Sequence, residues 1–226
     1  TPSATARSCR RQIPSTSVCV GEYAFADCTG LQNVTVYRGE IENNAFENCS
    51  ALQSLTIRKV TAIGDYAFSN CVILSDLELP RTLLSMGNRA FSGCASLTEV
   101  VIPDSTTSFG YYAFGNCEGL KTAYVSNNIS KWGLTWLEES HGFNNCSALE
   151  YIYFADGLTA IPNCLLMKCI ALKGVYIPTS VGSIGYRVLD SVPPTCVIYG
   201  EPGSTAETFA QENGFTFSTG DFPITY

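Results

Sequence analysis

Apolar and polar residues alternate along this chain in a rhythm that keeps returning. Leu74, Leu77 and Leu79 end at Pro80, a near period of two that predicts a short strand with alternate side chains inside. Pro80 lacks an amide donor and stops it. Upstream, Ile63-Gly64 opens a turn, and Asp65 is placed to cap a single helical turn over Tyr66, Ala67 and Phe68. Asn70 follows, and its counterparts are Asp27, Asn48, Asn116 and Asn145. These residues tolerate left-handed backbone, so a corner is predicted there.

The same order repeats. The phrase Ala-Phe-x-x-Cys-x-x-Leu begins at Ala24, Ala45, Ala67, Ala90 and Ala113, with weaker copies from Gly142 and Leu165. Its Cys stands at 28, 49, 71, 94, 117, 146 and 169, in steps of 21, 22, 23, 23, 29 and 23. A period in the twenties marks one supersecondary unit stacked many times. One coil of strand, loop, helical turn and loop cannot bury its own apolar face, so stability must come from its neighbours. Stacking should align Phe25, Phe46, Phe68, Phe91, Phe114 and Phe143 as an aromatic spine, continued by Leu166 and Leu189.

These residues resemble the BspA-like leucine-rich repeats, whose unit reads roughly Leu-x-x-Ile-x-Ile-Pro, then Ile-Gly-x-x-Ala-Phe-x-x-Cys. The likeness runs from about Val18 to Phe217. It implies an α/β solenoid: a right-handed leucine-rich repeat superhelix of about eight repeats of ~23 residues. Short parallel strands would line the concave face, with short helical turns on the other side. The ending is also similar, through Ile198-Tyr199-Gly200-Glu201-Pro202 to Asn213-Gly214. Ser204-x-x-Glu207 is a capping box and Asn213-Gly214 a helix stop, so a C-terminal capping helix is expected. Residues 1–226 then form one solenoid domain: a lead-in over 1–17, repeats over 18–200 with an insertion near 126–141, and a cap over 201–226. The resemblance implies a secreted or surface-anchored protein with a role in adhesion.

Composition narrows the partners. Only 15% of residues are charged and the net charge is −7. An acidic surface repels phosphate backbones and anionic lipid, which argues against nucleic acid and membrane docking. No apolar run reaches the ~20 residues of a spanning helix, and no signal peptide is visible at Thr1. Eleven cysteines invite a disulfide framework, but seven fall at one repeat position, where Cys serves as a small buried hydrophobe. Cys9 with Cys19 is the pair placed to clasp the N-terminal end.

The chain shows no catalytic set. Its one histidine, His141, has Cys146 as nearest cysteine in sequence, and Cys146 belongs to the core column. The Cys column offers one ligand per coil, with no short-paired spacing for zinc. Glu138-Glu139 reads as a solvated edge. No phosphate loop or nucleophile elbow appears. No enzyme activity, metal or cofactor is therefore expected.

The outward strand positions carry the better candidates. Asp76, Glu78 and Glu99 form an acidic upper region. Tyr124, Tyr151, Tyr153 and Tyr176 gather lower down, with Tyr199 next. Exposed tyrosine gives large, rigid contact area suited to binding; equally, aromatic ladders stabilise sheets. Both tryptophans, Trp132 and Trp136, lie in the insertion. They suit a glycan or an aromatic protein surface, or fold back over core exposed by the break in period. The expected role is binding of a host or neighbouring-cell protein or glycan through the concave sheet. The alternative is a structural spacer within a larger surface protein.

Overall fold

A computed structural model describes residues 19–133 and 139–224. Cys9, Trp136 and Glu138, singled out above, lie outside the described residues, as does the lead-in over 1–17. The chain is a parallel-strand solenoid. Its main ladder has nine rungs: Asn33–Ile41, Ser54–Ile63, Asp76–Glu78, Glu99–Val101, Thr122–Val125, Tyr151–Phe154, Gly174–Tyr176, Val197–Tyr199 and Thr216–Ser218. Equivalent residues stay in register, Asn33 beside Ser54 beside Asp76, and Glu99 beside Thr122, Tyr151, Gly174, Val197 and Thr216.

A second ladder runs round the corner. Cys19–Val20 pairs with Glu40-Ile41, and the column continues through Ala62-Ile63, Ser85–Met86, Ser108–Phe109 and Lys131–Trp132. Trp132-Gly133 thus occupies the place of Ile63-Gly64. The period is unbroken as far as Gly133, and the extra residues follow it. The insertion is shorter than the 126–141 expected, and Trp132 is a strand residue, not a loop residue.

The core is one continuous column of Val, Ile, Leu, Phe and Cys. Its spine stacks Phe25, Phe46, Phe68, Phe91 and Phe114 at centroid spacings of 5.1, 5.0, 5.1 and 5.2 Å, with ring planes within 8°. Phe143 follows at 5.7 Å, and buried Leu166 and Leu189 extend the column.

The Cys column is more than small hydrophobes. Each thiol donates to the Phe carbonyl of the preceding coil: Cys49 to Phe25 at 3.1 Å, Cys117 to Phe91 at 3.2 Å, Cys146 to Phe114 at 3.2 Å. That donor explains Cys where Ala would fill similar space. Burial pushes the thiols up, Cys49 to about 11 and Cys117 and Cys169 to about 12. Two readings of the cysteines need correction. Cys19 is a free thiol that donates to Glu42 at 3.0 Å, so it forms no clasp. Cys28, at the head of the buried column, is disulfide-bonded. Thiolate is the alkylating species. Among the described free cysteines only exposed Cys19 should react with iodoacetamide in the folded chain, and slowly, because Glu42 lifts its thiol to about 11. Labelled Cys94 or Cys117 in native protein, detected by mass spectrometry, would contradict the buried column.

The turns opposite the main ladder are built around left-handed residues. Tyr66 has φ 57° and Asn70 φ 59°, and their counterparts repeat these values coil after coil. The Asn corner expected from sequence is present and is a side-chain ladder: Asn48 donates to Asp27 at 2.9 Å, Asn70 to Asn48 at 3.0 Å, Asn145 to Asn116 at 3.1 Å. Asp65 does not cap its own turn, because Tyr66 leaves the right-handed region. Its carboxylate accepts from the Asn88 amide of the next coil at 2.6 Å. Val192 stands where Cys169 stood one coil earlier, which fixes the register around Pro193-Pro194.

The terminal helix, Thr205–Asn213, starts at Ser204, whose hydroxyl accepts from Glu207 N–H, and ends at left-handed Gly214. Ala206 and Ala210 are buried beneath it. After the helix, Thr216–Ser218 adds a ninth rung on Val197–Tyr199, and the tail turns back across the strand face.

Candidate functional site

Outward strand positions follow from the pleat: in Asp76–Glu78 and Glu99–Val101 the middle residue turns inward and its neighbours face solvent. Asp76, Glu78 and Glu99 are exposed. They line one open groove of about 1140 Å³ with Arg58, Arg81 and Tyr124. The groove lies where the two sheets meet: Asp76–Glu78 belongs to the upper sheet and Glu99–Val101 begins the lower. Four of the nine sequence candidates thus share one surface depression.

The lower tyrosines form a ladder. Tyr124 stacks on Tyr153 at 5.4 Å and Tyr153 on Tyr176 at 4.4 Å, with planes within 7°. Burial and nearby acidic groups hold the Tyr124, Tyr153 and Tyr176 hydroxyls above the usual tyrosine range. All are half-buried, because the tail lays Phe222 on them. Its ring meets Tyr151 at 5.9 Å, Tyr153 at 5.9 Å, Tyr176 at 6.0 Å and Tyr199 at 5.2 Å. Gly174 makes this cradle, since a Cβ there would come within 3.0 Å of both Tyr151 and Tyr199. The sequence gave no signal for Phe222, which follows the last recognisable repeat. Trp132 is half-buried against the core, 5.5 Å from Phe109, and is separate from the tyrosines.

His141 meets partners that sequence distance concealed. Its Nε2 lies 3.0 Å from Glu139 Oε2, and its Nδ1 3.1 Å from the Asn144 amide. Tyr186 donates to the other Glu139 oxygen at 2.5 Å. The carboxylate is held below the ordinary Glu range by the Tyr186 and His141 hydrogen bonds. The cysteine beside it is Cys164, not Cys146. Cys164 occupies His141's repeat position one coil later, and both are left-handed, at φ 60° and 49°. Aligning the coils on this left-handed position, instead of on Cys alone, brings the two together. As a nucleophile Cys164 is poorly set: it is buried and its thiol is pushed up by burial and Glu139, the reverse of an activated cysteine.

The comparisons agree on the architecture. The family model described as BspA type leucine rich repeat region matches in six copies over residues 9–121 and 134–198. A leucine-rich repeat protein of T. pallidum is 21% identical, with a TM-score of 0.62 over 82% of this chain and 85% of that one. The pneumococcal vaccine antigen PcpA is 17% identical, with a TM-score of 0.57. That match covers 91% of this chain but only 45% of PcpA. No curated protein matches the sequence.

Proposed function

Since the chain belongs to the BspA-type leucine-rich repeat family, we propose that it is a non-enzymatic binding module of a secreted or cell-surface protein. It contacts a host or neighbouring-cell protein or glycan through its strand face. The observation that carries this reading is the groove beside Asp76, Glu78, Glu99 and Tyr124. It is open, rigidly framed by ladder strands, and lined by polar and aromatic side chains with few internal partners, which is what a recognition surface requires. Export fits the family's surface-anchored members. No helix among the described residues is long and apolar enough to cross a membrane.

A second reading has its own support. Phe222 covers the tyrosine cradle, as expected of packing within a structural spacer. The two readings separate in a screen of matrix proteins and host and bacterial glycans. Binding by the wild type should weaken about tenfold or more in an Asp76→Asn, Glu78→Gln, Glu99→Gln, Tyr124→Ser variant, a loss near 1.4 kcal/mol. A Phe222→Ala variant should bind as the wild type does if only the groove is used, and more tightly if the cradle is part of the site. Absence of any hit at micromolar concentration favours the spacer.

A further inference from the structure

The geometry points to a divalent transition-metal site, zinc by its chemistry, formed by Glu139, His141 and Cys164 across two adjacent coils. One ligand atom from each residue lies within 4.8 Å of the other two. Oxygen, imidazole nitrogen and thiolate sulfur together suit zinc and its neighbours, whereas calcium and magnesium take oxygen alone. Bonds of ~2.0–2.3 Å in a tetrahedral site put ligand atoms roughly 3.5 Å apart. Glu139 and His141 are already at 3.0 Å, so the sulfur needs to approach by about an ångström, within reach of a side-chain rotation.

The surroundings orient the ligands. Asn144 is buried and faces His141 Nδ1. Without metal, the ring donates from Nε2 to Glu139 and accepts at Nδ1. On binding, Nε2 gives its lone pair to the ion, the ring proton sits on Nδ1, and the Asn144 amide turns its oxygen to accept it. A second partner of this kind fixes tautomer and ring plane in zinc sites. Tyr186 donates to Glu139 Oε1 and leaves Oε2 for the ion. The Cys164 thiol releases its proton to solvent as the sulfur binds. One carboxylate and one thiolate then balance the dication, and water completes the four-coordinate shell. Arg187, the nearest cation by sequence, is drawn to Asp190 at 2.6 Å.

The position gives the ion a task. Glu139 is the first described residue after the insertion and bridges Asn163 of the next coil. Metal there would clamp the end of the insertion to the following coil. This inference stands apart from the strand-face groove, which lies elsewhere in the repeat.

Titrating the full metal-free chain with Co2+ tests it. One equivalent should bind and give the near-ultraviolet thiolate-to-cobalt absorption, which Zn2+ should then bleach. Cys164→Ser should abolish that absorption. His141→Gln and Glu139→Gln should each weaken binding at least as much as Asn144→Leu, for which roughly 10–100-fold is expected. Cys19→Ser, which removes the exposed thiol, should change nothing. Zn2+ should raise the melting temperature of the wild type and not that of His141→Gln. Two results overturn the proposal: no stoichiometric uptake by the wild type, or an absorption that survives Cys164→Ser or follows Cys19. The wild-type titration decides even where a variant fails to fold.

Discussion

Gly110→Ala is expected to open the stack between the coils of Phe91 and Phe114. A Cβ on Gly110 would stand 2.1 Å from the Gly87 carbonyl oxygen and 2.2 Å from its carbon. Both are main-chain atoms, so no side chain can swing aside. The coils must move apart, which strains the Tyr111 N–H to Asn88 Oδ1 bond at 2.9 Å and the packing beneath it. A loss of about 4 kcal/mol or more is expected, in the range set aside for breaches of core and backbone. For a chain of this size that lowers the melting temperature by roughly 10 °C. Gly182→Ala is the control. Its Cβ would meet only the Thr159 oxygen at 3.9 Å, and a compatible Gly→Ala change leaves stability equal or raised by about 0.4–1 kcal/mol. Equal melting of Gly110→Ala and wild type would show that the coils are not held at this separation.

Phe91→Ala should cost about 3–5 kcal/mol by cavity formation. The ring is fully buried, with Phe68 at 5.1 Å on one side and Phe114 at 5.2 Å on the other. Parallel stacking removes neighbours from both faces at once, and neither ring can tilt into the gap without leaving its own partner. Phe91→Leu should cost less than half as much, because Leu166 and Leu189 hold the equivalent place naturally. Phe25→Ala should also cost less, since Phe25 keeps 7% exposure at the first described coil. Chemical denaturation read by circular dichroism ranks the three. Equal losses at Phe25 and Phe91 would mean that the spine is not cooperative.

Much of this was legible because a repeat states each interaction many times. The Phe spine, Cys column, Asn corner and capping helix each rest on contacts between equivalent residues of adjacent coils, so the period alone brings them together. The Ile-Gly glycine was legible as a turn residue, but its cause was not: at Gly110 it is the approach of the next coil's backbone. Asp65 shows the same shift, reading as a local cap and serving the neighbouring coil. Trp132 was misplaced because Cys was used as the ruler. Counting Trp132-Gly133 as another Ile-Gly would have put the extra residues after it.

The sequence by itself determined the solenoid, its period, its inward residues and its closing helix, since each follows from local pattern multiplied by stacking. Only the tertiary structure decided what lies across from what without a repeat to announce it. Phe222 reaches back onto tyrosines from four strands, at distances of 5.2 to 6.0 Å. Glu139 and His141 meet Cys164 from the next coil. The acids Asp76, Glu78 and Glu99 share a groove because the two sheets part there. Such contacts depend on where a tail or an irregular segment lands on the finished surface. One occurrence leaves no periodic trace, so the sequence carried the residues without the pairing.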